Sequence, residues 1–275
     1  MAREPAPSAR AAAQAPEPGQ GAVTLSESEG VRYLHFGTEW VQGAMSLDHP
    51  NRLELEYQQQ MMAPLLFVPR PAQVLQLGLG AAALTRFCHR HLRDSRVTVV
   101  EIDPAVIQVA RLWFSLPPDD ERLRVIRGDA GAYVRKARAQ ADWLQVDLYD
   151  AAARGPVFDD VPFYRACRAA LRGGGVAAFN LFGRSLQPSV AALGEAFGRR
   201  WLRLPRSAAG NTVVLAFAGP DGDPDGPLAW DADELVARAR RFEARFGLPA
   251  LDWLQGMRLA TGRPVALAPG TRLCL

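Results

Sequence analysis

The chain has 275 residues, 48% hydrophobic and 22% charged, with a formal net charge of +3, which suits one sizeable globular domain with additions or two small ones. Nearly all the positive charge is arginine, Lys136 being the only lysine, and no basic block with interleaved aromatics occurs, which argues against a nucleic-acid partner. No apolar run approaches the roughly 18 residues of a membrane span, and the N-terminus lacks the apolar core of a signal peptide, so the expectation is a cytoplasmic protein with no membrane partner.

Residues 1 to about 22 carry almost no large apolar group and are expected to be a disordered tail. Residues 23–68 are expected to hold a small β-hairpin and a helix. Val31 to Phe36 alternates as a strand does, Gly37 turns the chain, and Trp40 to Met45 suits the second strand. After a turn at Asp48-His49-Pro50-Asn51, the spacing predicts a helix over 53–67 that carries Tyr57 and Gln58 and is ended by Pro69 and Pro71.

Residues 69–218 alternate short apolar runs with helix-compatible segments. The runs opening at Val74, Val97, Val125 and Trp143 end in glycine or an acid, and the helices between them are predicted over 81–92, 105–114 and 130–139. This alternation predicts an α/β fold with a parallel sheet and crossover helices. Another helix is predicted from Pro162 to Leu171, ended by Gly173-Gly174-Gly175, then a strand over 176–182 and a helix over 190–197. An antiparallel pair at 201–204 and 212–217 is expected to complete the sheet. Residues 219–275 read as a linker and C-terminal helices, one capped by Asp231, without a chemical signature.

Cys88, Cys167 and Cys274 lie far apart, with no metal-ligand or redox spacing, and His35, His49, His89 and His91 do not form a ligand set with them. Free thiols and no metal are expected. Attention falls on the carboxyl ends of the strands, where parallel sheets bind ligands. There Gly78-Leu79-Gly80 allows close backbone approach and opens a helix N-terminus. Glu101 follows at about the 20-residue spacing of a ribose-binding acid, and Asp129 is placed to accept an adenine amino proton. A third fingerprint glycine is absent, Ala81 to Ala83 filling the turn, which lowers a dinucleotide reading. The competing reading is that Glu101 and Asp129 cap the following helices; Asp103, just before Pro104, is the better cap. Asp147 and Asp150 follow an apolar strand in one loop. Two such carboxylates suit a cationic amine and could take its proton, or they are a turn residue and a cap.

These residues carry a resemblance. From about Val31 to Phe217 the chain resembles the spermidine synthase (polyamine aminopropyltransferase) family, as a divergent member. Tyr57-Gln58 resembles its Tyr-Gln pair, Glu101-Ile102-Asp103 its ribose-binding strand end, Gly128-Asp129-Ala130 its adenine-binding turn, and Asp147 to Asp150 followed by Gly155-Pro156 its Asp-x-x-Asp loop. The resemblance implies a seven-stranded Rossmann-like sheet of the S-adenosylmethionine-methyltransferase type after a small N-terminal β-hairpin region, and the C-terminal helical extension lies beyond it. It implies decarboxylated S-adenosylmethionine as co-substrate and a small-molecule diamine such as putrescine as acceptor. Asp147 would accept the proton, Asp150 and Tyr57 would bind the amine, and Gly78, Gly80, Glu101, Asp129 and Gln58 would bind the nucleoside. A homodimer is left open. Two positions depart from the pattern: Gly80 stands where the family has an aspartate that contacts the donor's amino group, and Ala151 replaces a proline. Gln42 is a candidate for a family glutamine in the hairpin. Rival readings are an S-adenosylmethionine-dependent methyltransferase and a nucleoside-binding homologue without turnover.

Overall fold

A computed structural model describes residues 23–37, 40–149, 157–183 and 185–275. The expectations for residues 1–22, Asp150, Ala151 and Gly155-Pro156 lie outside them. β1 (Val23–Ser28), β2 (Val31–Phe36) and β3 (Gly43–Ser46) form an antiparallel sheet. The hairpin is therefore three-stranded. β1 buries almost nothing, so it leaves no apolar stripe to read. Its turn, Glu29-Gly30, has both residues at positive φ, as a two-residue hairpin turn of matching twist requires. β3 starts at Gly43, and Trp40 and Val41 lie exposed before it.

The helix expected over 53–67 is broken. α1 is short (Glu56–Gln60), and a 3-10 turn follows at Ala63–Leu66. Met61, Met62, Ala63 and Leu66 are all buried, so the apolar spacing reported burial on every side, while Pro64 lacks the N–H a continuous helix needs.

The main sheet is built from β4 (Gln73–Leu77), β5 (Arg96–Glu101), β6 (Leu123–Arg127), β7 (Ala141–Val146), β8 (Leu171–Leu181), β9 (Trp201–Arg203) and β10 (Thr212–Phe217). The intervening helices are α2 (Ala83–His91), α3 (Pro104–Trp113), α4 (Ala130–Lys136), α5 (Val161–Ala170) and α6 (Gln187–Phe197). The C-terminal part adds β11 (Ala229–Asp231), α7 (Ala232–Phe246), α8 (Ala250–Gly256), β12 (Arg258–Leu259) and β13 (Arg272–Cys274).

The sheet order is β12-β9-β10-β8-β7-β4-β5-β6. β6, β5, β4, β7 and β8 are parallel, and β10, β9 and β12 are antiparallel additions. The seven strands implied by the resemblance thus gain an eighth from the C-terminus. The order reverses between β4 and β7, which opens a crevice at their carboxyl ends. Alternation within each strand serves two cores. Val74, Val97, Val99, Trp143, Val176 and Ala178 face one side, and Leu75, Leu77, Val100, Leu144, Ala177 and Phe179 the other.

Two further readings change. Gly173-Gly174-Gly175 lies inside β8 instead of ending α5, which stops at Ala170. A Cβ on Gly173 would collide with Asp221, and one on Gly175 would crowd the Arg172 carbonyl, so these glycines permit close backbone approach. The C-terminal segment is more than helices. Leu235, Ala239, Phe242, Trp253, Leu254 and Met257 belong to the first core, and Asp231 caps α7 as expected. Among the described residues no helix is long and apolar enough to cross a membrane.

Candidate active site

The crevice is a cavity of about 510 Å³ whose wall includes Tyr57, Gly78, Gly80, Glu101, Asp129 and Asp147. Six of the sequence-selected residues therefore meet, though they come from five separate stretches of chain. Gln58 does not line the cavity; its side chain is buried behind Tyr57 and donates to the Tyr57 hydroxyl at 3.4 Å.

On one side, Gly78 follows β4 at φ +94°, and its N–H donates to the Val100 carbonyl at 2.9 Å. A Cβ there would collide with the Asp147 carbonyl oxygen, so only glycine lets the ends of β4 and β7 come together. Gly80 also has positive φ, +50°. Glu101 spans this turn. Its Oε2 accepts from the Leu79 N–H at 3.0 Å and its Oε1 from the Asp103 N–H at 2.9 Å. Burial raises its carboxyl above the usual carboxylate range, and the two backbone donors oppose that rise. Asp103 caps α3 by accepting from Ala105, which leaves Glu101 free of a capping role. Asp129 does cap α4, accepting from Ala132, and also lines the cavity. The apolar rim consists of Trp40, Val41, Ile102 and Val157, all exposed.

On the other side, Asp147 leaves β7 with its carboxylate turned to the cavity. Asn180 Nδ2 donates to its Oδ1 at 2.9 Å, and the Tyr57 hydroxyl donates to its Oδ2 through a long contact of 3.4 Å. Burial pushes the Asp147 carboxyl up to about 6, against the lowering effect of these two donors. Burial and the neighbouring Asp147 push the Tyr57 hydroxyl well above its ordinary value.

Asn180 and Asn211 were not singled out by the sequence reading, yet both line the cavity. The available signal at Asn180 was a lone amide inside the apolar run 176–182, most of which is β8; at Asn211 it was a Gly-Asn step, which reads as an ordinary turn. Gln42, the hairpin candidate, lines the cavity with its side-chain nitrogen buried and unpartnered. Among the described residues no group of three or more His, Cys, Asp and Glu is arranged to hold a metal ion.

The spermine/spermidine synthase domain model matches residues 54–180, the stretch that supplies Tyr57, the glycine turn, Glu101, Asp129, Asp147 and Asn180. A polyamine aminopropyltransferase of Neisseria meningitidis serogroup A is 34% identical over 239 residues, covering 86% of this chain and 89% of that protein. One from Chromobacterium violaceum is 33% identical over 228 residues, covering 82% and 85%. Among solved structures, a probable spermidine synthase from Corynebacterium glutamicum superposes with a TM-score of 0.67 at 21% identity, covering 87% of this chain and 90% of that one, a likeness of fold. With this identity and coverage, the chain belongs to the polyamine aminopropyltransferase (spermine/spermidine synthase) family of transferases.

Proposed function

We propose that this chain transfers an aminopropyl group from decarboxylated S-adenosylmethionine to a diamine, putrescine by analogy. The observation that carries the reading is the Tyr57–Asp147–Asn180 cluster opening into the same cavity as Glu101 and the glycine turn. Glu101 would hold the ribose: a carboxylate has about four acceptor positions, and two are taken by backbone N–H groups. Asp129 and the apolar rim would receive the adenine. Tyr57 and Asp150 would hold the amine.

In the reaction the amine nitrogen attacks the methylene carbon beside the sulfonium. The new C–N bond forms as the C–S bond breaks, both electrons of that bond go to sulfur, methylthioadenosine leaves, and Asp147 takes the amine's proton. An amine of pKa ~10 is mostly protonated at neutral pH. Raising Asp147 from 3.8 to about 6 narrows the proton-transfer gap by about 2 units, on the order of 3 kcal/mol. The cavity otherwise acts by positioning and electrostatics.

Asp147→Asn tests the mechanism. The change is nearly isosteric, and an amide can keep both the Asn180 and the Tyr57 contacts. Turnover is expected to fall by roughly 10²–10⁴, the usual contribution of a general base, with methylthioadenosine affinity unchanged. Wild-type turnover should rise as pH passes through about 6, when Asp147 ionises, and that limb should vanish in the variant. Unchanged turnover in Asp147→Asn would remove the base assignment. Gly80 offers no carboxylate to the donor's amino group, an observation that favours S-adenosylmethionine as an alternative methyl donor. Product analysis separates the two: methylthioadenosine reports aminopropyl transfer and S-adenosylhomocysteine methyl transfer.

A further inference from the structure

We propose that Asn180, Asn211 and Ser207 form a positioning relay that fixes the orientation of the Asp147 carboxylate, with the 205–211 loop as its anchor. Its consequence for turnover rests on the reading of Asp147 as proton acceptor.

An ionised carboxylate only accepts, so Asn180 must present Nδ2 to Asp147 Oδ1, as it does at 2.9 Å. Asn180 Oδ1 is then left to accept, and Asn211 Nδ2 supplies the proton at 3.0 Å. Asn211 is fixed in turn by Ser207, whose Oγ accepts from the Asn211 N–H at 2.9 Å and donates to Asn211 Oδ1 at 3.5 Å. Asn180 is 2% exposed and Asn211 8%, so little water can replace a lost partner. An amide is nearly symmetric in shape but not in charge. Without Asn211, Asn180 could turn its oxygen towards Asp147, setting acceptor against acceptor.

The loop that carries Asn211 is tied to α1. Glu56 Oε2 accepts from the Ala208 N–H at 2.7 Å, and Gln60 Nε2 donates to the Pro205 carbonyl at 3.1 Å. Between those two residues α1 carries Tyr57, which reaches the other Asp147 oxygen. Both oxygens of Asp147 are thus held from one frame, through α1 on one side and through the loop and β8 on the other.

The titratable groups around Asp147 are few. α1 presents Tyr57; Tyr149, just after β7, donates to the Asn180 carbonyl at 3.1 Å; β8 and the loop present the uncharged Asn180 and Asn211; and β4 presents the backbone of Gly78. Among the described residues no cation pairs with Asp147.

The test is a pH titration of the Asp147 carboxyl by 13C NMR, its signal identified by its loss in Asp147→Asn. In Asn211→Leu, which removes the donor without adding charge, the titration midpoint should rise by about one pH unit, the scale of a lost hydrogen bond to the charged form. Asn180→Ala should raise it at least as much. The double variant should match Asn180→Ala alone, because Asn211 acts through Asn180. Ser207→Ala should give a smaller rise and serves if Asn211→Leu does not fold. An unmoved midpoint in folded Asn211→Leu or, where that variant does not fold, in Ser207→Ala overturns the relay. So does a rise from Asn211→Leu that persists in the Asn180→Ala background. The titration reads the carboxyl whether or not it is the base; normal turnover in Asp147→Asn would remove the base assignment alone.

Discussion

Glu101 accepts two backbone N–H groups from within the chain, so its orientation is set by the glycine turn and by the start of α3. Such preorganisation spares the ordering cost when a ribose binds. Glu101→Ala is expected to weaken methylthioadenosine binding by about 1.5–3 kcal/mol, the range for hydrogen bonds to a charged group. Calorimetry on the folded variant reads this directly, and unchanged affinity would move the ribose elsewhere. Gly78 shows the opposite economy: its contribution is the side chain it lacks, because any Cβ would strike the Asp147 carbonyl.

At the scale of elements, α7 and α8 matter to the sheet although they lie after a Pro/Gly/Asp linker. Phe242 stacks edge-on against Phe246 and Trp253, and it joins the same core as Val99 and Trp143. Phe242→Ala should cost about 3–5 kcal/mol by transfer and cavity terms. Denaturant unfolding measures it, with methylthioadenosine affinity of the folded fraction unchanged because Phe242 does not line the cavity. A cost below about 1 kcal/mol would mean that this helix is only loosely docked. The broken helix around Tyr57 shows how an element can serve the site by being short. α1 ends after Gln60, and the three side chains Glu56, Tyr57 and Gln60 reach the loop, Asp147 and the loop again.

At the scale of the molecule, the sheet divides the apolar side chains into two cores, and the thiols report on both. Cys88 is buried in one core and Cys167 in the other, and burial pushes both thiols up; Cys274 is exposed on β13. A thiol reagent should label Cys274 at once. Cys88 and Cys167 should react only as fast as the fold opens, since the thiolate is the reactive form and both are shielded. Fast reaction of two thiols in native buffer would show that one core opens locally.

Much of the α/β order was legible in the sequence because each parallel strand is a short apolar run ended by glycine or an acid, and several helices start at an aspartate cap, such as Asp103 for α3 and Asp231 for α7. The same local signals marked Gly78, Glu101, Asp129 and Asp147, which lie at strand ends. β1 escaped because it buries no stripe, and α1 was overextended because Met61 to Leu66 is buried on all sides and periodicity cannot tell that from a helix. Asn180 and Asn211 escaped for a different reason. They are 31 residues apart in sequence and become partners only when β8 and β10 pair, with Leu181 opposite Thr212. A residue's type and its neighbours in sequence fix which strand end it occupies. Which buried amide faces which carboxylate is decided by strand pairing, because a hydrogen bond depends on distances of a few tenths of an ångström that only the packed structure sets.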